Sequence, residues 1–226
     1  MQFVKVLLFG ATGMVGQGVL RECLQDSGVT EVLAVGRLPT GIQHPKLRDL
    51  VHKDLLRYQT VERELAGYDA CFFCLGATAA GRTEDEYAAI NHDIPVAAGT
   101  ALARINPGMT FIYVSGAGTD STGKGRVMWA RVKGRTENEL LRLAIKAYMF
   151  RPGAIQPMHG EISKTWAYRA LITAFKPFFP LLRGLFPGAV TTTERIGRAM
   201  LHIARNGNAE RILESRSINV VASHGG

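Results

Sequence analysis

The chain has 226 residues, of which 46% are hydrophobic and 20% charged. That composition suits one folded domain with a sizeable core and excludes a disordered or fibrous chain. Three cysteines exclude a disulfide scaffold, and the first apolar run leads straight into a glycine turn rather than a signal-peptide pattern, so the expected location is the cytoplasm.

In chain order, Phe3-Val4-Lys5-Val6-Leu7-Leu8-Phe9 predicts a buried strand, and Gly10-Ala11-Thr12-Gly13-Met14-Val15-Gly16 a turn into a helix. The start of a helix offers free backbone N–H groups and the positive end of its dipole, which suits a pyrophosphate. In this reading Gly10 permits the tight turn, Gly13 lets a ligand approach the backbone, and Gly16 lets the helix pack close to the strand. The spacing is G-x-x-G-x-x-G rather than G-x-G-x-x-G, and the flanking strand and helix give the motif its weight.

Further strands are predicted at Glu31–Gly36, Leu47–Lys53, Tyr68–Leu75, Met109–Val114 and Ala147–Arg151, with a last short one at Ser217–Ala222. Helices are predicted from Thr83 to Arg104, interrupted at Pro95, from Val127 to Ala144, and from Thr192 to Arg205. The alternation predicts one three-layer α/β domain over residues 1–226: a doubly wound parallel sheet of Rossmann type, with 155–226 forming a small substrate-side region. Cys71 and Cys74 form C-x-x-C inside a strand-like run. Residues three apart on a strand face opposite ways, so no shared metal is expected there, nor one elsewhere.

A doubly wound sheet binds dinucleotides across the carboxyl ends of its strands. After the second strand stands Gly36-Arg37, where a carboxylate would hold the 2′-hydroxyl of NAD. Arg37 can pair with a 2′-phosphate instead, which favours NADP (NADPH), with NAD less favoured. Asp54 and Leu55 are placed beside the adenine, and Leu75, Gly76 and Ala77 beside the pyrophosphate and ribose.

The glycine turn, Val35-Gly36-Arg37, Asp54-Leu55, Cys74-Leu75-Gly76-Ala77-Thr78, Asn91, Tyr113-Val114-Ser115, Lys133-Gly134 and Arg151-Pro152-Gly153 run in one order over about two-thirds of the chain. In these pieces the chain resembles an atypical short-chain dehydrogenase/reductase of the NAD(P)-binding, epimerase-like type, similar to the Tat-interacting-protein-like oxidoreductases. The resemblance implies a nicotinamide cofactor, with Pro152 and a backbone contact at Ile155 for its carboxamide. It also implies a Ser and Tyr-x-x-x-Lys active site, in which Ser115 orients the substrate carbonyl and Lys133 holds the nicotinamide ribose. Trp129 stands where the Tyr belongs. An indole N–H donates but does not ionise at useful pH, so Trp129 cannot be the general acid. Lys133, Tyr113, Tyr87 and His159 are the remaining proton donors to weigh.

The charge is uneven. Residues 1–120 hold 10 Lys/Arg against 13 Asp/Glu, and residues 121–226 hold 17 against 6, within a net charge of +8. A basic second half is compatible with an acidic small-molecule substrate, an anionic membrane surface, an acidic partner, or a merely solvated surface. No nucleic-acid motif is present, so nucleic acid is the least favoured partner. The aromatic, basic stretch Trp166–Phe186 carries Pro177 and Pro180, too broken for a bilayer span. It reads as a lid over an apolar substrate, a subunit contact of a homo-oligomer, or a peripheral membrane contact. Two functions stay open: an NADP(H)-dependent oxidoreductase or isomerase on a small carbonyl or hydroxyl compound, and an NADP(H)-binding sensor or partner-binding protein with little turnover.

Overall fold

The first apolar run becomes strand β1 (Val4–Phe9), buried on both faces: Val4, Val6 and Leu8 enter one core, Leu7 and Phe9 another. Two-sided burial is what a continuous apolar run implies for an interior parallel strand. In this computed structural model, which describes residues 3–161 and 188–224, the further strands are β2 (Val29–Gly36), β3 (Leu47–Val51), β4 (Ala70–Phe73), β5 (Thr110–Val114), β6 (Lys146–Arg151), β7 (Ala154–Gln156), β8 (Val190–Thr192) and β9 (Ile212–Glu214). Seven of them form one parallel sheet in the order β3-β2-β1-β4-β5-β6-β9. The order reverses between β1 and β4, and the crevice at their carboxyl ends is where this fold takes a ligand.

The helices are α1 (Met14–Gln25), α2 (Glu62–Leu65), α3 (Glu84–Ala88), α4 (Ile94–Ile105), α5 (Met128–Leu140), α6 (Thr193–Asn206) and α7 (Ser215–Ser223). Val19 and Leu20 of α1, Ile196 and Met200 of α6 and Ile218 of α7 cover one face of the sheet. Leu65 of α2, Ala98 and Leu102 of α4 and Leu140 of α5 cover the other. The fold is therefore a three-layer Rossmann-type α/β fold. Residues 193–223, expected on the substrate side, supply a helical layer and the edge strand β9 to this main body. Close helix packing explains the docking: a Cβ on Gly18 of α1 would stand 2.4 Å from the Thr193 side chain.

Two expectations are corrected, and one pair of strands is new. Ser217–Ala222 is not a strand but the body of α7. Its β-branched residues mask a helical period in which Ile218, Val221 and Ala222 share the buried face. The last strand is instead Ile212–Glu214, beside β6. The Thr83–Arg104 helix is two helices joined by a π-turn over Ala89–Asp93, with Pro95 in the first turn of α4, where its missing N–H costs nothing. The small parallel pair β7–β8 was not anticipated. At its start α3 carries a capping box, Thr83 and Glu86 bonding each other's backbone N–H.

Cys71 lies in one core and Cys74 packs against the other, so the C-x-x-C cysteines face apart. Burial pushes the Cys74 thiol up to about 12 and that of Cys71 well above its usual value. The segment Trp166–Phe186 lies outside the described residues. Among the described residues no helix is long and apolar enough to cross a membrane.

Candidate functional site

Gly10 ends β1 with a φ of 79°, a backbone state that favours glycine. Its carbonyl accepts the Gly13 N–H at 2.9 Å, closing the turn, and Gly13 starts α1. The first helical bond is Gln17 N–H to Gly13 O, so the amides of the first turn have no intrahelical acceptor. The first turn holds no acidic residue and no side chain caps it, which leaves an electropositive end. A Cβ on Gly16 would lie 2.0 Å from the Gly10 carbonyl oxygen, and one on Gly10 2.6 Å from the Leu75 nitrogen. Strand, turn and helix thus meet at van der Waals limits because two positions lack side chains.

Above the turn opens a cavity of about 210 Å³. Gly10, Ala11, Thr12 and Gly13 line one side, Gly36, Arg37, Leu38 and Thr40 a second, and Cys74, Leu75 and Gly76 a third. The predicted residues from three separate strand ends therefore converge. Arg37 is exposed and makes no hydrogen bond or ion pair among the described residues, so its guanidinium is available to an anion. The lining does not include Met14, Val15 and Gly16, which open α1 directly after the lining residue Gly13, nor Asp54 and Leu55. Asp54 is exposed and accepts the Leu56 N–H at 3.1 Å, and Leu55 is buried in the core with Tyr58. The glycine cradle, the free amides and the lone cation fit a dinucleotide phosphate.

The floor continues toward β5 through Asn91, which the π-turn of Ala89–Asp93 presents. Its Oδ1 accepts the Ala77 N–H at 3.1 Å and its Nδ2 donates to Tyr87 O, which holds the Gly76–Ala77 segment in place. Its own carbonyl accepts from Tyr113 OH at 3.0 Å and Thr136 Oγ1 at 2.9 Å. Asn91 is 1% exposed. No role for it was legible in the sequence, and the signal was a polar residue at a helix interruption just before a proline.

Next to it, α5 carries Trp129 and Lys133 one turn apart. Lys133 Nζ donates to Ser115 O at 2.6 Å and sits 5.7 Å from the centre of the Tyr113 ring. Loss of water pushes its pKa down to about 8, against a smaller upward pull from Glu137. Trp129 lies over Gly118 and is partly exposed. Ser115 follows β5, but its hydroxyl turns inward. It donates to Glu137 Oε1 at 2.5 Å and sits 3.1 Å from Phe150 O. Pro152 binds the same loop, its carbonyl accepting the Ala117 N–H at 2.9 Å, and Ile155 is buried at the start of β7–β8.

The other proton donors are less available. Tyr113 is fully buried, with its hydroxyl bonded to Asn91 O and its pKa well above the usual value because of burial. Burial pushes Tyr87 up to about 12. His159 faces Glu194 at 3.3 Å in a loop that caps α6.

The Lys133 shift carries a sign. Below pH 8 both states hold the proton, and the fold bears the cost of a charge stripped of water. From about 8 to the ordinary value of 10.5 the folded state sheds the proton first, so stability rises with pH. Urea unfolding of the wild type and Lys133→Met at about pH 7.5 and 9.5 is expected to show the wild type gaining relative to the variant. A constant difference between them would contradict the shift.

A model of the NAD(P)H-binding family matches residues 10–154. The chain is 29% identical over 141 residues to leucinostatins biosynthesis cluster protein T of Purpureocillium lilacinum, covering 61% of this chain and 51% of that protein, about half its length. It is 21% identical over 231 positions to protein HTATIP2 of Rattus norvegicus, covering 94% of each. It is 28% identical over 170 residues to the mitochondrial protein fmp52-2 of Aspergillus terreus, covering 73% of this chain and 72% of that one. Among solved structures, the Bordetella bronchiseptica enzyme WbmF in complex with NAD+ and UDP shares the fold, with a TM-score of 0.70 at 14% identity over 99% of this chain and 77% of that one. The family match spans the glycine turn, the cavity above it and the helix of Lys133, and the chain belongs to the NAD(P)H-binding family and has a Rossmann fold.

Proposed function

We propose that the protein binds NADPH and acts as an oxidoreductase or isomerase on a small carbonyl or hydroxyl compound. The observation that carries the reading is Arg37, without a partner among the described residues, at the rim of a cavity floored by the glycine turn. In this reading the first-turn amides of α1 bind the pyrophosphate and Arg37 takes the 2′-phosphate. Lys133, with N–H groups beyond those bonded to main-chain carbonyls, holds the nicotinamide ribose, and the Ile155 backbone meets the carboxamide. Bound NADPH supplies the hydride. Trp129 walls the site and excludes water from it.

A second reading is favoured by one feature. The Ser115 hydroxyl is spent on Glu137, and Trp129 offers no ionisable proton. An NADPH-binding sensor with little turnover fits that pair of losses. The substrate, acidic or apolar, the cytoplasmic location, and the role of Trp166–Phe186 as lid, subunit contact or membrane contact belong to the same proposal.

Calorimetry and nicotinamide fluorescence with NADPH and NADH, followed by a panel of carbonyl compounds, test it. Binding with turnover supports the enzyme, binding without turnover supports the sensor, and no heat with either coenzyme overturns both. Arg37→Glu is expected to weaken NADPH about 10- to 100-fold, the worth of one charge-assisted contact, while leaving NADH nearly unchanged. Equal losses for the two coenzymes would end the assignment of Arg37 to the 2′-phosphate.

A further inference from the structure

We propose that Glu137 is a positioning residue, whose buried carboxylate ties the strand ends at Ser115 and Arg151 to the helix that carries Lys133. Glu137 is 1% exposed, and its side chain faces three elements at once. Ser115, after β5, donates its hydroxyl proton to Oε1. Arg151, the last residue of β6, donates from Nε at 3.0 and 3.1 Å and closes a second contact from its terminal nitrogen. The same guanidinium reaches Ser121 Oγ at 2.6 Å in the loop before α5 and lies 3.8 Å from Glu214 at the end of β9. Trp129, Lys133 and Glu137 are spaced by four and share one face of α5. The carboxylate therefore sits one turn behind Lys133 and anchors the face that enters the cleft.

Stability alone does not account for this arrangement. Buried ion pairs are often no more stabilising than apolar residues of like volume. Placement relative to Lys133 gives the charge another use. The groups around Lys133 are the carbonyls of Val114 and Ser115, the Tyr113 ring of β5 with Tyr87 of α3 beyond it, and Glu137 on its own helix, which Arg151 of β6 pairs with. No carboxylate pairs directly with Lys133 among the described residues, and Glu137 is the negative charge that favours its ammonium form against desolvation. Glu137 thus keeps the ammonium charged as well as in place. The use of that ammonium on a cofactor ribose rests on the function proposed above, but the coupling of Glu137 to Lys133 does not.

The test starts without cofactor. Carbon-13-labelled lysine, with the Lys133 signal assigned through Lys133→Arg, is titrated by NMR in the wild type, in Glu137→Gln and in the double variant Glu137→Met with Arg151→Met. The double variant removes both buried charges, so it is expected to fold even where the single change leaves Arg151 unpaired. The Lys133 midpoint is expected to fall by about one pH unit in Glu137→Gln, the scale of one nearby opposite charge, and by less in the double variant, which also removes the Arg151 charge. NADPH affinity is expected to drop several-fold at about pH 7.5 and to recover toward wild type at about pH 6.5. An unshifted midpoint in folded Glu137→Gln, or in both variants, overturns the proposal, as does an affinity loss that ignores pH. If the wild type itself binds no NADPH, the proposed function falls while the cofactor-free titration still decides the role of Glu137.

Discussion

Gly16→Ala is expected to weaken NADPH binding at least about 100-fold and to destabilise the fold by roughly 3 kcal/mol, the upper end of the cost of overpacking. The new methyl would stand 2.0 Å from the Gly10 carbonyl oxygen, 2.7 Å from its carbon and 3.0 Å from the Ala11 Cα. All three are backbone atoms, so no rotamer change relieves the clash. Nor can the turn retreat: the Gly10 carbonyl is fixed by the Gly13 N–H, and Gly10 itself is boxed in by Leu75. The relief left is to push α1 away from β1, which carries the first-turn amides off the ligand. Gly41→Ala is the control. It has a φ of 76° and nothing within 4 Å, so its cost is conformational, roughly 1 kcal/mol, without loss of affinity. Calorimetry with NADPH and urea unfolding read both variants. Unchanged affinity in folded Gly16→Ala would show that the ligand does not rest on this turn.

Trp129→Tyr is expected to raise NADPH-dependent reduction of a generic aldehyde or quinone by about 100-fold or more, the usual worth of a general acid. The phenol would enter one turn before Lys133, and the nearby ammonium would lower its pKa from about 10 toward neutrality. The gain has a ceiling, because the Ser115 hydroxyl faces Glu137 and cannot hold the substrate carbonyl. The next residue of the same loop, Gly116, has space for a side chain. A Cβ there would have 4.0 Å to its nearest neighbour, Pro152 O. Adding Gly116→Ser to Trp129→Tyr is therefore expected to exceed the single variant. Steady-state rates across both variants decide it. No gain in either would show that Trp129 does not border the reacting centre.

Local signals made the cofactor half legible in the sequence. A two-sided apolar run, a glycine obliged to take positive φ and a helix start are properties of neighbouring residues, and they located the turn, Gly36-Arg37 and Leu75-Gly76 before any contact was known. The convergence of those three stretches on one cavity follows from strand order, which the alternation of elements implied. Local pattern failed where the partner was distant. Ser217–Ala222 has β-branched residues, and what makes it helical is a face that Ile218 and Val221 bury in the core shared with α6.

The reaction centre depended most on tertiary structure. The sequence by itself determined the glycine turn between β1 and α1, the arginine that follows β2, and the tryptophan one helical turn before Lys133. Only the folded structure decided that the Ser115 hydroxyl points to a carboxylate 22 residues away, that a π-turn aims Asn91 at the Gly76–Ala77 segment, and that burial pushes the Lys133 pKa down to about 8. The reason is physical. Backbone conformation is set by adjacent residues, whereas side-chain direction, desolvation and ion pairing at strand ends depend on groups that only the closed sheet brings together.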